Sequence, residues 1–322
     1  MRPQMADFLL LVVALIWGST FVIVKEAIVF LPPFIFLAWR FALAFLTLLP
    51  LTWRHLKGDF RQALPAGIIL GLFLFAGYAF QTLGLQFTTP ARAGFITGLS
   101  VVLVPLLGAH FLGEKPGLYP SLGAFLAFVG LALLSLGGGY FSFSLGDLLV
   151  LLCAVSFALH ILWVGRFSAR FDPYLLTTLQ IGLVALLAAA LTPLELHHSP
   201  LAGQLPSPQS VGVEGIWLKI GGALLLTGTL ATSLAFLLQN SLQRFTTPTH
   251  TALIFATEPV FAALSSYLLS GEVLPAQGLL GGGLVVMGML LAEVGNRKAT
   301  RLSSRGNPVT EKPRSSRGQS LP

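Results

Sequence analysis

Phe87-Thr88-Thr89-Pro90 and Phe245-Thr246-Thr247-Pro248 are the same four residues, 158 positions apart. The match continues in register. Gln81 aligns with Gln239, Ile96 with Ile254, Val102 with Val260, Leu106 with Leu264 and Gly113-Glu114 with Gly271-Glu272, giving 10 identities over 34 positions without a gap. Similarity held at a fixed offset marks a repeated structural unit. A shorter offset of 140 aligns Asp7 with Asp147, Ala14 with Ala154 and Trp17 with Phe157. The two offsets are reconciled in the stretch from Pro193 to Gly215, expected to be a long irregular connector.

The composition around these repeats belongs to a chain dissolved in lipid. Of 322 residues only 10% are charged, 19 Lys+Arg against 12 Asp+Glu, while 55% are apolar and the mean hydropathy is +0.83. A soluble domain carries roughly 25% charged residues. A water-soluble globule, a disordered body and a nucleic-acid module are thereby excluded. A helix needs about 20 apolar residues to cross the hydrocarbon layer. Runs of that kind lie at Phe8–Val29, Pro33–Leu51, Ala63–Gly84, Ala91–Leu112, Leu118–Leu136, Asp147–Val164, Tyr174–Leu194, Ile216–Leu238, Thr249–Leu269 and Ala276–Val294. Prolines punctuate them, at Pro32-Pro33, Pro90, Pro116, Pro173, Pro193 and Pro248, where a missing N–H favours a break or a first helical turn.

Ten runs and two repeats give five helices per half. An odd number forces the second half to enter the membrane from the opposite side. The expected fold is an all-α membrane protein of ten transmembrane helices in two inverted five-helix repeats, residues 6–137 and 144–294. Inverted repeats of this kind underlie alternating-access carriers, with the site near the midplane between the halves.

The charges set the orientation. Seven basic residues lie in the last 26 positions, a Ser/Pro/Gly stretch expected to be a disordered basic cytoplasmic tail, residues 295–322, attracted to anionic lipid headgroups. It has no aromatic interleaving for nucleic acid. With both termini cytoplasmic, 15 of the 19 basic residues fall on that side, as the positive-inside bias requires. Lys25, Arg40, Arg92 and Lys219 remain outside or within the helices.

Motifs in the same order resemble the ten-helix, EamA-type members of the drug/metabolite transporter superfamily. They are Ala14-Leu15-Ile16-Trp17-Gly18-Ser19, Trp39-Arg40-Phe41, Pro105, Glu258-Pro259, and the paired ends Leu112-Gly113-Glu114 and Ser270-Gly271-Glu272. Phe157-Ala158 departs from the Trp that often stands there, and the tail is outside the pattern. The resemblance implies a multi-pass permease of the bacterial inner membrane that exports amino acids, related metabolites or drugs. It implies an ion gradient or the substrate's own gradient as the driving force, and leaves the substrate open.

Charge kept at mid-bilayer costs at least about 2.5–3.5 kcal/mol and points to function. Glu258 lies near the centre of its span, and a helical wheel places His250, Ile254, Glu258, Phe261 and Ser265 on one stripe. The 158 shift maps His250 onto Arg92 and Glu258 onto Ser100. Glu258 is expected to attract a substrate ammonium or carry a coupling proton, and Arg92 or Arg40 to receive a carboxylate. Alternatively, Glu258 caps the break at Pro259 and the arginines bond backbone or snorkel outward. Tyr78 with Gln81, repeated as Phe236 with Gln239, suits a slot for a flat or amphiphilic molecule, and Trp17, His160 and Trp163 could add to its walls. Small-residue spacings such as Gly94/Gly98 fit close helix packing or a dimer seam, so a monomer or homodimer is expected.

The chain lacks a phosphate-cradling Gly-Lys-Thr loop and any assembled hydrolase motif, and its single Cys153 excludes a disulfide or thiolate cluster. No cofactor or metal and no enzyme activity are expected, the rival being a membrane-embedded enzyme or lipid-modifying protein. Impermeant-thiol labelling of single cysteines at Arg61 and Ser304 checks the topology: both should react only from the inner face.

Overall fold

The computed structural model describes residues 3–53, 55, 60–111, 113, 117–135, 144–198, 213–270, 276–277, 279–288 and 290–291. Within them the elements are α1 (Pro3–Ala27), α2 (Pro33–Thr52), α3 (Phe60–Phe87), α4 (Pro90–Gly98), α5 (Ser100–Phe111), α6 (Leu118–Ser135), α7 (Leu145–Phe167), α8 (Pro173–His198), α9 (Val213–Gly228), α10 (Ala235–Leu242), α11 (Pro248–Phe255) and α12 (Glu258–Ser270). A last apolar helix, α13 (Leu279–Gly288), follows. A π-turn, Thr229–Leu234, joins α9 to α10. Among the described residues seven helices are long and apolar enough to cross a membrane, and the stretches Ile96–Phe111, Ser121–Gly130 and Leu279–Gly288 are apolar but shorter.

Helix starts follow from local chemistry. Thr247 caps α11 by accepting the His250 N–H (3.2 Å), with Pro248 in the first turn. Asp172 does the same for α8, taking the N–H groups of Tyr174 and Leu175 at 2.9 and 3.1 Å. Ser144 and Asp147 form a reciprocal capping box on α7. Pro193 was expected to break its helix, but α8 runs through it to His198. In an apolar setting, losing one N–H near a helix end is cheaper than releasing a whole turn of backbone.

Two expected single spans are broken instead. Ala91–Leu112 divides at Leu99, and Thr249–Leu269 divides at Ala256-Thr257, so α5 begins at Ser100 and α12 at Glu258, 158 apart. Each break is closed by a tight bond to a residue three back, Leu99 N–H to Ile96 O and Thr257 N–H to Ile254 O, both 3.1 Å. Pro259 contributes by removing the N–H that would bond Phe255 O.

Close approaches fix the bundle. A Cβ on Gly18 would lie 2.5 Å from Glu258 O and 2.7 Å from Phe261 Cβ, so α1 and α12 touch nearly backbone to backbone. Gly71 abuts Leu183 and Gln180 of α8, while Gly228 abuts Leu43 and Arg40 of α2; the partners differ by 140 and the glycines by 157. About two helical turns later the offset is 158, at Tyr78 and Phe236. The π-turn lies between and houses the surplus residue: the Ala235 N–H reaches Leu230 O, and the side chains of Thr232 and Ser233 bond the carbonyls of Thr227 and Gly228.

Gly18→Val should overpack the α1–α12 contact and cost about 1–3 kcal/mol. Thermal unfolding in detergent is expected to shift down by about 5 °C or more. Gly94→Ala, whose new Cβ would meet nothing nearer than 3.7 Å, should leave the midpoint unchanged.

Candidate functional site

A cavity of ≈ 750 Å³, open solvent included, lies between α1, α3, α4, α7, α10 and the α11–α12 break. Its walls are aromatic and apolar, from Trp17, Phe21, Tyr78, Phe157, Phe236 and Phe255. Its polar groups are Thr20, Arg40, Gln81, Thr97, Ser100, His160, Gln239 and Glu258.

Arg40 is 3% exposed. Its Nε donates to Thr232 Oγ1 (2.9 Å), its Nη2 to Tyr78 OH (3.3 Å), and its Cζ stands 4.6 Å from the Tyr78 ring centroid. These contacts satisfy part of a five-donor fork and add a cation–π attraction. Among the described residues no carboxylate pairs with it. The snorkelling alternative is therefore not what the side chain does. Thr232 can serve because the π-turn frees it, and the same turn turns Ala231 O toward Trp17, whose Nε1 donates to it at 2.8 Å.

Glu258 opens α12, where a negative charge is favoured by the helix dipole. Its carboxylate forms no hydrogen bond or ion pair among the described residues, so it does not cap the α12 N–H groups either. It is one of the groups bordering the cavity. Among the described residues the cavity is bordered by one guanidinium, Arg40, and one carboxyl group, Glu258, not joined to each other, an arrangement that can receive an acidic and a basic group of one molecule.

The other expected residues separate into two groups. Trp17, Tyr78, Gln81, His160, Phe236 and Gln239 border the cavity. His160 Nε2 meets Gln180 Oε1 at 2.6 Å, Gln81 donates to Thr97 Oγ1 at 3.3 Å and Gln239 to Gln243 Oε1 at 3.4 Å. Trp163 is not among the lining residues; it stacks on Phe167 (5.3 Å, 25°) in a separate cluster with Leu70 and Leu176. His250 also lies away from the lining, its Nε2 3.1 Å from Asp7 Oδ1. The break at Ala256-Thr257 interrupts the 100° progression, so the wheel that joined His250 to Glu258 does not apply across it. Arg92 belongs to α4, and its side chain lies outside the described residues.

Thr97, Thr20, Phe157 and the supporting Gln180 and Thr232 were not singled out from the sequence. The offsets contained the signal for most of them. Trp17 pairs with Phe157, Thr20 with His160, Phe21 with Ile161 and Arg40 with Gln180 at 140; Tyr78 pairs with Phe236, Gln81 with Gln239, Thr97 with Phe255 and Ser100 with Glu258 at 158. All but Gln180 border the cavity.

Membrane-length helices around a cavity with unjoined opposite charges define a polytopic membrane transporter. The chain belongs to the EamA-like transporter family, whose model matches residues 4–136 and 144–293. It is 35% identical over 290 residues to a protein of Archaeoglobus fulgidus named an uncharacterized transporter, covering 90% of this chain and 86% of that one. It is 28% identical to the uncharacterized transporter YyaM of Bacillus subtilis, over 85% of this chain and 89% of the relative. A third relative, 25% identical over 87% of this chain and 88% of its own, is the uncharacterized inner membrane transporter YedA of Escherichia coli. The fold is similar to that of a solved crystal structure at a TM-score of 0.71 and 22% identity, covering 93% of this chain and 99% of that one.

Thr232→Val keeps the shape and removes the oxygen that accepts from Arg40. Leaving that buried donor without a partner should cost about 1.5–3 kcal/mol, read as a lower thermal midpoint in detergent. Thr232→Ser should restore most of it.

Proposed function

We propose that the protein is a secondary carrier working by alternating access, built from two inverted five-helix repeats, residues 6–137 and 144–294, with ten spans. The observation that carries this reading is the paired lining of the cavity: residues related by the two sequence offsets stand around one space. Matched breaks at Leu99 and Ala256-Thr257 support it, since carriers of this design form their site at discontinuous helices. The family model's match in two successive segments supports the same division.

The substrate is a small molecule with an apolar or aromatic body and polar ends, amino acids, related metabolites or drugs, carried outward across the cytoplasmic membrane. Arg40 receives its acidic group. Glu258 receives its ammonium or exchanges a coupling proton. The inner-membrane name of the Escherichia coli relative accords with the cytoplasmic membrane as the location; both termini and the basic tail lie on its cytoplasmic side, as the positive-inside bias favours.

Proteoliposome counterflow, run on substrates found by a thermal-shift screen, tests the reading. Saturable exchange is expected. Glu258→Gln should lower both exchange and net uptake at least about ten-fold if the carboxylate holds the ammonium, the worth of one charge-assisted bond. If it carries the proton, exchange should survive and proton-driven uptake should be lost. Wild-type rates in both assays, in a normally inserted protein, would remove Glu258 from the mechanism.

A further inference from the structure

The cavity sits off-centre along α1. It borders Trp17, Thr20, Phe21 and Val24, the part of α1 toward Lys25, whose Nζ bonds the carbonyls of Leu85 and Thr88 at the end of α3. Toward the other end of α1, beyond Trp17, the space is filled by a packed apolar cluster that includes Leu10, Val13, Ala14, Leu162 and Ala252. Past that plug, on the same helix, Asp7 meets His250 at 3.1 Å.

The pair joins the two halves of the chain. His250 is fixed in the first turn of α11 by the Thr247 cap, and Pro248 beside it presses on Gly165 near the end of α7. Asp147, the counterpart of Asp7 at the 140 offset, lies at the start of α7 and accepts from Thr88 Oγ1 at 3.0 Å. Asp147 at the start of α7 and Gly165 near its end, against Pro248, are about 27 Å apart at 1.5 Å per residue, so the two ties stand toward opposite ends of the helix. The apolar cluster and the Asp7–His250 bond lie between the cavity and the Asp7 end of α1.

We propose that the Asp7–His250 bond is the latch that holds this end of the cavity shut, and that it parts when the cavity turns toward the Asp7 face. The proposal rests on the carrier reading. His250 is 5% exposed, so the contact is shielded from water, where a charge-assisted bond retains most of its strength. A latch made by two side chains can be released without unpacking a helix, and the plug beneath it is a packing of apolar side chains, Phe255 included, with no side-chain hydrogen bond of their own across the contact.

The test uses single-cysteine reporters in full-length protein carrying Cys153→Ala, with an impermeant maleimide applied to each face of membrane vesicles. Val13→Cys reports on the plug and Val24→Cys on the opposite part of the cavity. With the latch intact, Val13→Cys should react slowly from both faces. Asp7→Ala should raise its labelling from the Asp7 face by about ten-fold, the worth of one charge-assisted hydrogen bond, and lower labelling of Val24→Cys from the other face. His250→Gln keeps an amide donor for Asp7 and should raise labelling less, and the double variant should label no more than Asp7→Ala, since the pair shares one interaction. Unchanged Val13→Cys labelling in both single variants overturns the latch and leaves the carrier reading standing. A rise at Val13→Cys without a fall at Val24→Cys means that the two ends open independently, which overturns the carrier reading and the latch with it. Should His250→Gln fail to insert, Asp7→Ala decides alone, because the Asp7 side chain is 24% exposed and tolerates truncation.

Discussion

A polar group inside a hydrocarbon layer has no water to turn to, so its partner must be supplied by the protein. Nearly every feature of this bundle answers that demand. Backbone groups are kept in helices, even through Pro193, and freed ones are taken up by side chains, as Thr232 and Ser233 take the carbonyls of Thr227 and Gly228. Against that background the carboxylate of Glu258 borders the cavity without a hydrogen bond or ion pair among the described residues, and Gln239 Oε1, on the same lining, is likewise unbonded there.

Arg40 shows how the same demand is met in part. Thr232 and Tyr78 hold the guanidinium in place and the Tyr78 ring shields it, yet donors remain for a substrate acid. A fully paired arginine would be an element of structure alone; a fully free one would cost too much to bury. The partial pairing allows a charge to wait in a low-dielectric space.

The fold class was legible because lipid imposes a coarse, length-based pattern: apolar runs and proline punctuation locate helices without any knowledge of packing. Glu258, Arg40, Tyr78 and Gln239 were legible for a related reason, since polar residues are conspicuous in apolar runs. The misplacements have physical causes. A helical wheel assumes an unbroken helix, and the turn at Ala256-Thr257 separates His250 from Glu258. Trp163 was indistinguishable from Trp17 by type, and only packing against Phe167 decides its place. Thr232 could not be found from periodicity, because its role arises from a π-turn that a regular helix would not contain.

That π-turn has a consequence for the energetics of the whole molecule. Two identical halves would give two end states of equal free energy, and the carrier would rest equally on either. Here one half carries a residue that the other lacks, and the π-turn that houses it bonds Trp17 and Arg40. For the proposed carrier this would make the two orientations inequivalent, and each about 1.4 kcal/mol of difference shifts such a ratio ten-fold. In a carrier of the proposed kind, duplication would supply a balance with two arms, and the inserted residue would be a weight on one of them.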